Sequence, residues 1–282
     1  MLIGKLSVNL RPVRKIAFIL FIIPLFLACK NEFERIRASG NADLIYDKGF
    51  EYYEKGDYLK AQALFEQILS SYRGKAKAEE LYFKYAYTHY HLSSFTTAAF
   101  YFNNFSTTFG NSPFREEADF MAAYSHYKMS PTYRLDQTNT YKAIDEFQTF
   151  ANMYPNSARV EEANRYIDEL RAKLEKKTFA EGQLYFDLKQ YTSAITSYEN
   201  MLKEFPESPN AETVRMQILR SSYLWAINSI YEKQEERFKT VVEKYQLFKT
   251  KYPKSSFLKE ASEIHTNSKQ KLKQFSNERY QN

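Results

Sequence analysis

Cysteine occurs once in this 282-residue chain, at position 29, which excludes disulfides within the chain and any cysteine-rich metal site. Glycine and proline are also scarce, at 7 and 8 residues, and leave little room for the turns of an all-β fold. Tryptophan appears once, whereas Tyr and Phe number 24 and 23, a supply of bulky fillers suited to stacked helices. The charge excess is confined to one end. Lys5, Arg11, Arg14 and Lys15 precede residue 29 and no acid does, so a chain starting at Cys29 carries 36 basic against 34 acidic residues. Near-neutrality removes most of the support for a nucleic acid partner. No Gly-rich phosphate loop, metal-protease helix or nucleophile elbow is present. Neither catalytic residues, a cofactor nor a metal is therefore expected, and the chain does not read as an enzyme.

Arg11, Arg14 and Lys15 precede an apolar run from Ile16 to Leu27 that is too short to span a bilayer but fits the core of a secretory signal over residues 1–28. The run ends in Leu25-Phe26-Leu27-Ala28-Cys29, which resembles a bacterial lipoprotein box and implies acylation of Cys29. Phe26 and Leu27 depart from the preferred residues of that box. An ordinary signal followed by an incidental cysteine is the alternative, but the polar Lys30-Asn31-Glu32 immediately after the cysteine favours lipidation. Because Lys30 is not the aspartate that retains such proteins in the inner membrane, the resemblance directs the chain to the outer membrane. Residues 29–41 read as a lipidated, flexible tether.

From residue 42 the chain repeats a helical hairpin. Asp43 to Tyr72 holds two amphipathic runs hinged at Gly56-Asp57, with small and large residues in the order Gly49, Tyr52, Ala61, Phe65, which resembles a tetratricopeptide repeat. Four further units follow: Ala86, His89, Ala98, Phe102; Ala123, His126, Ala143, Phe147; Gly182, Tyr185, Ala194, Tyr198; and Ser222, Trp225, Val241, Tyr245. The third carries an insertion between its helices, and the fifth is expected to have a long connection. Phe109-Gly110-Asn111-Ser112, Tyr154-Pro155-Asn156-Ser157, Phe205-Pro206-Glu207-Ser208 and Tyr252-Pro253-Lys254-Ser255 close units, each Ser being placed to cap the next helix. Carboxylates then suit the helix N-termini, as at Glu116-Glu117, Glu161-Glu162, Glu212 and Glu260. The predicted fold is all-α, a solenoid of five tetratricopeptide-type hairpins. Extra helix between Val160 and Lys176 divides it into an N-terminal block of repeats 1–3 (42–160) and a C-terminal block of repeats 4–5 (161–275), with a frayed polar tail (276–282).

One face of the first helices stands out. Tyr46, Phe50 and Tyr53 lie at i, i+4 and i+7, and the same offsets give Phe83, Tyr87, Tyr90 and then Phe120, Tyr124, Tyr127. The fourth unit gives Phe179, Gln183 and Phe186. In tetratricopeptide arrays this face lines the groove, so the resemblance implies a peptide-binding ladder of nine aromatics. The competing reading is that these rings pack neighbouring repeats together, Phe50, Phe83 and Phe120 most of all. His89 and His126 fall at framework places and are expected to pack rather than bind metal.

A lipoprotein box followed by five repeats, and the run from Ser130-Pro131-Thr132-Tyr133 through Tyr141-Lys142-Ala143-Ile144-Asp145-Glu146-Phe147 to Tyr154-Pro155-Asn156-Ser157, resembles the BamD family. Those lipoproteins belong to the BAM complex that assembles β-barrel proteins in the bacterial outer membrane. The resemblance implies a scaffold anchored through Cys29 on the periplasmic face, whose repeats 1–3 receive unfolded outer-membrane protein substrates by a C-terminal signal ending in an aromatic residue. It further implies that repeats 4–5 dock on a BamA-like outer-membrane β-barrel protein. A different tetratricopeptide lipoprotein, an adaptor linking the envelope to cell-wall synthesis or division, is the alternative.

Overall fold

The computed structural model describes residues 31–281; the signal-like run and Cys29 lie outside the described residues. Among the described residues are twelve helices and no strand, arranged as tetratricopeptide-type hairpins. They form two compact units. The first comprises residues 31–130 with Asn139–Asn164 and holds α1 (Asn31–Arg37), α2 (Ala42–Glu54), α3 (Tyr58–Tyr72), α4 (Ala78–His91), α5 (Phe95–Thr108), α6 (Arg115–Met129) and almost all of α7 (Thr138–Met153). The second comprises Pro131–Thr138 with residues 165–281. It holds most of α8 (Val160–Asp187), then α9 (Tyr191–Glu204), α10 (Ala211–Ile227), α11 (Tyr231–Lys251) and α12 (Leu258–Gln281).

Each hairpin closes through a small residue on its first helix and a ring on its second. At Gly49 an added Cβ would stand 2.6 Å from the Phe65 ring, and at Gly182 one would stand 2.5 Å from the Tyr198 ring. Ala86 and Ala123 fill the equivalent places opposite Phe102 and Phe147, and all four are fully buried. Burying one such ring contributes about 1.5–3 kcal/mol, so a hairpin depends on its partner helix coming close enough to cover it.

Turn chemistry repeats as well. Gly56 takes the left-handed conformation at φ +76° between α2 and α3, and Ser93 (φ +59°) and Lys189 (φ +60°) adopt it at the same place in two later hairpins. Asn41 caps α2 by accepting from the amides of Asp43 and Leu44 at 3.1 and 3.2 Å. The four unit-closing serines act differently from the expected cap. Each lies three residues before its helix, and its hydroxyl oxygen accepts from the amide two residues on: Phe114 at 3.2, Arg159 at 3.1, Asn210 at 3.0 and Phe257 at 3.0 Å. The serine amide in turn donates to the preceding aromatic carbonyl, from Ser112 to Phe109 at 2.9 Å through Ser255 to Tyr252 at 3.2 Å. One turn geometry is thus used four times.

Three sequence expectations are corrected. Asn31–Arg37, read as part of a tether, is helical, because Phe33 and Ile36 share a face: Phe33 meets Tyr52 edge-on at 5.9 Å and Ile36 is buried. The long connection expected in the fifth unit is absent. Tyr231 to Lys239 instead extends α11 to 21 residues, its apolar stripe supplied by Phe238, Val241, Tyr245 and Phe248. The tail expected to fray continues α12 to Gln281.

Substitution at Gly182 tests the closure. Overpacking of about 1–3 kcal/mol outweighs the ~1 kcal/mol that alanine gains over glycine in a helix. Gly182→Ala therefore lowers the thermal midpoint followed by circular dichroism, and Gly182→Val lowers it further; an unchanged midpoint for both contradicts the packing.

Candidate functional site

Helices α2, α4 and α6 place their ladder residues at three depths in the first unit. The innermost, Tyr46, Phe83 and Phe120, are buried, because the second helix of each hairpin and the next turn cover them. Tyr46 stacks on Tyr72 at 5.1 Å and its hydroxyl donates to Glu80 at 3.0 Å; burial first, then Glu80, raises its pKa above the usual tyrosine value. Phe83 stacks on Phe114 at 4.8 Å, and Phe120 meets Phe147 and Phe150 at 5.6 and 5.4 Å beneath the Arg159 guanidinium. These three lie beneath the face and support it from within.

The middle and outer residues are half-buried. Phe50 lies edge-on to Phe65 at 5.0 Å. Tyr87 packs on Phe102 at 5.0 Å and donates its hydroxyl to Glu117 at 2.5 Å, which with burial as the larger cause raises its pKa. Arg159 holds the other Glu117 oxygen at 2.8 Å. The outer rings run in a line across the repeats. Tyr53 meets His91 at 5.9 Å, His91 meets Tyr90 at 5.7 Å, Tyr90 meets Tyr124 at 6.1 Å, and Tyr124 stacks with Tyr127 at 5.6 Å.

His91, which sequence reasoning passed over, is the centre of this line. Its ring stacks on Tyr58 at 4.1 Å and on Tyr87 at 5.9 Å, and its Nε2 lies 3.3 Å from the Tyr53 hydroxyl. The residue as a whole stays exposed, but its ring faces are covered. That cover, followed by the Lys84 charge, lowers its pKa below the ordinary value of 6.5. Lys84 itself sits over the Tyr53 ring at 4.6 Å. Tyr58 was missed too, although its signal recurs: the first residue of the second helix is aromatic in four hairpins, at Tyr58, Phe95, Tyr191 and Tyr231. Tyr53–Tyr58, Tyr90–Phe95 and Phe186–Tyr191 lie 5.4, 5.6 and 6.0 Å apart.

The other histidines pack. His89 hydrogen bonds to Gln62 at 3.0 Å and stacks on Tyr101 at 4.9 Å, and His126 Nδ1 lies 2.6 Å from Glu146. In the second unit, Gln183 breaks the aromatic pattern for a structural reason. Its carbonyl oxygen accepts from Tyr198 at 3.2 Å and from Gln217 at 2.8 Å, joining the fourth hairpin to α10.

The face therefore offers tyrosine hydroxyls, a neutral imidazole at pH 7 and the Lys84 ammonium around ring surfaces, a set suited to an apolar or aromatic side chain with polar groups beside it. Protonation of His91 ends its capacity to accept from Tyr53. Because the folded pKa is depressed, stability from the neutral ring is present above 6.5 and is lost as pH falls through the lower folded value. An NMR titration should find His91 titrating below 6.5, with Lys84→Gln moving it upward and Lys84→Arg leaving it in place; a His91 value at or above 6.5 contradicts the arrangement.

Similar folds of known structure are distant. They include MamA (16% identity, 76% of this chain and 96% of that chain covered, TM-score 0.31) and the TPR2AB domain of yeast Sti1 with pHSP90 (14%, 81% and 98%, 0.36). A tetratricopeptide repeat protein from Parabacteroides merdae also matches (12%, 82% and 78%, 0.34). No curated protein matches in sequence. No described helix is long and apolar enough to cross a membrane. The family model described as YfiO, outer membrane lipoprotein, matches residues 39–237, more than half of the chain and all of the aromatic face. The chain belongs to the YfiO family of outer membrane lipoproteins, the BamD type.

Proposed function

We propose that this protein is a non-catalytic subunit of the BAM machinery that assembles β-barrel proteins into the outer membrane. Repeats 1–3 receive unfolded barrel substrates, and repeats 4–5 dock on the periplasmic domains of a BamA-like β-barrel partner. Family membership over residues 39–237 carries this reading. The line of Tyr53, His91, Tyr90, Tyr124 and Tyr127 supports the substrate assignment, because aromatic rings aligned on one face suit stacking of an aromatic side chain while hydroxyls and the imidazole suit the peptide backbone. Acylation at Cys29 would hold the scaffold on the periplasmic face of the membrane, several acyl chains anchoring far more firmly than one.

Synthetic peptides ending in an aromatic residue test the substrate role. The wild-type protein should bind them saturably, and Tyr90→Ala should weaken binding by about tenfold, the loss of roughly 1–2 kcal/mol expected for one aromatic contact. Tyr87→Phe isolates the hydroxyl held by Glu117 while keeping the ring. Circular dichroism confirms that both variants remain folded. Absence of binding by the wild type, or full binding by Tyr90→Ala, contradicts the assignment and favours the envelope adaptor.

A further inference from the structure

Within the second unit, the insertion of the third repeat and the C-terminal half of α8 enclose a groove of about 590 Å³ that shares no lining residue with the aromatic face. Its wall is built. The Gln137 carboxamide is buried and donates to the carbonyls of Thr132 and Leu135, both at 2.9 Å. The Lys177 ammonium donates to the Leu135 carbonyl at 3.2 Å and the Tyr133 carbonyl at 3.4 Å, and Asp136 accepts from the Thr138 amide at 2.9 Å. Six hydrogen-bonded atoms fix so short a segment in one conformation, and two of its carbonyls tie it to Lys177 of α8.

The floor is apolar, with Phe179 beside Ala180 and Leu184, the last 56% exposed. Water meets a leucine there that a ligand would cover. Charge in the groove is unevenly matched. Glu181 lies 3.5 Å from Lys177, and Asp187 accepts from the neutral Gln183 amide at 2.9 Å and keeps its charge, so three cations line the groove against two carboxylates. Arg134 and Lys176 contact only the face of Tyr133, at 5.4 and 4.8 Å, and among the described residues neither has a carboxylate partner. Two cations outside any ion pair flank an open apolar floor, and the lining carries one net positive charge. The groove volume matches that of sites for a few side chains.

We propose that this groove binds a peptide segment of a partner protein that lays a leucine- or phenylalanine-sized side chain on Leu184 and Phe179 and presents side-chain carboxylates to Arg134 and Lys176. The guanidinium offers a planar fork to one carboxylate, and Tyr133, already beneath both cations, keeps them from folding away. This chemistry holds whether or not the chain serves barrel assembly.

The test uses the full-length protein and fluorescent, acetylated and amidated ten-residue peptides of alternating leucine and aspartate or glutamate. Three counterparts replace the acids by their amides, the acids by lysine, or the leucines by serine. The acidic, apolar peptide should bind saturably, and the amide and serine peptides at least tenfold more weakly. The double variant Arg134→Glu, Lys176→Glu should lose the acidic peptide by at least tenfold and gain the lysine peptide, and Leu184→Ser should weaken the acidic one. All three positions lie on the surface, so circular dichroism should be unchanged. Tyr90→Ala should leave this binding intact, which separates it from the substrate face. Failure of the acidic peptide to saturate, equal binding of its amide counterpart, or undiminished binding by the charge-reversed variant overturns the proposal.

Discussion

The contact of a bare or nearly bare helix position with a ring on the facing helix is what the rest of the molecule depends on. Gly49 against Phe65 and Gly182 against Tyr198 leave no space for a methyl group, and Ala86 and Ala123 stand at the equivalent places, fully buried like Phe102 and Phe147. A larger residue would hold the helices apart, uncover the ring and open the joint to the next repeat. Because a single hairpin has one buried face and one unfinished one, each closure also prepares the surface on which its neighbour stacks.

Stacking is then reinforced by polar groups that first look local. The carboxylates at the starts of the first helices suit the helix dipole, yet Glu80 also accepts from Tyr46 of the preceding repeat, and Glu117 from both Tyr87 and Arg159. Ser157 and Ser208, having given an oxygen lone pair to their own turn, donate their hydroxyls to Glu116 and Glu175 of earlier helices. In the second unit, Arg220 grips Glu260 through two nitrogens at 2.6 and 2.5 Å. Repeat-to-repeat bonds of this kind hold tyrosine rings at set depths. The aromatic face therefore has a buried inner layer and a half-buried outer layer of tyrosines.

Hairpins, framework residues and unit-closing turns were legible because each rests on spacing within about thirty residues, where period and punctuation act directly. What escaped were features decided by tertiary contact. Phe33 and Ile36 make a seven-residue polar stretch into a helix only because the first hairpin is there to cover them. Tyr231 to Lys239 looked like a connection because its charges mask the stripe that Phe238 and Val241 continue. In the aromatic ladder, the offsets i, i+4 and i+7 showed which residues share a face but not their depth, so Tyr46 counted equally with Tyr53 although Tyr72 and Glu80 enclose it. His91 falls outside the framework places and the i, i+4, i+7 offsets, and its place in the face comes from Tyr58 of another helix.

An outer-membrane lipoprotein family, a supported line of half-buried tyrosines and a separate second unit together describe a scaffold that brings chains together. The most direct measurement is affinity purification of the tagged protein from gently solubilised outer membranes, with the co-purifying chains identified by mass spectrometry. The account predicts a stoichiometric integral β-barrel protein carrying periplasmic repeat domains. Recovery of cell-wall or division proteins without such a barrel partner would contradict it.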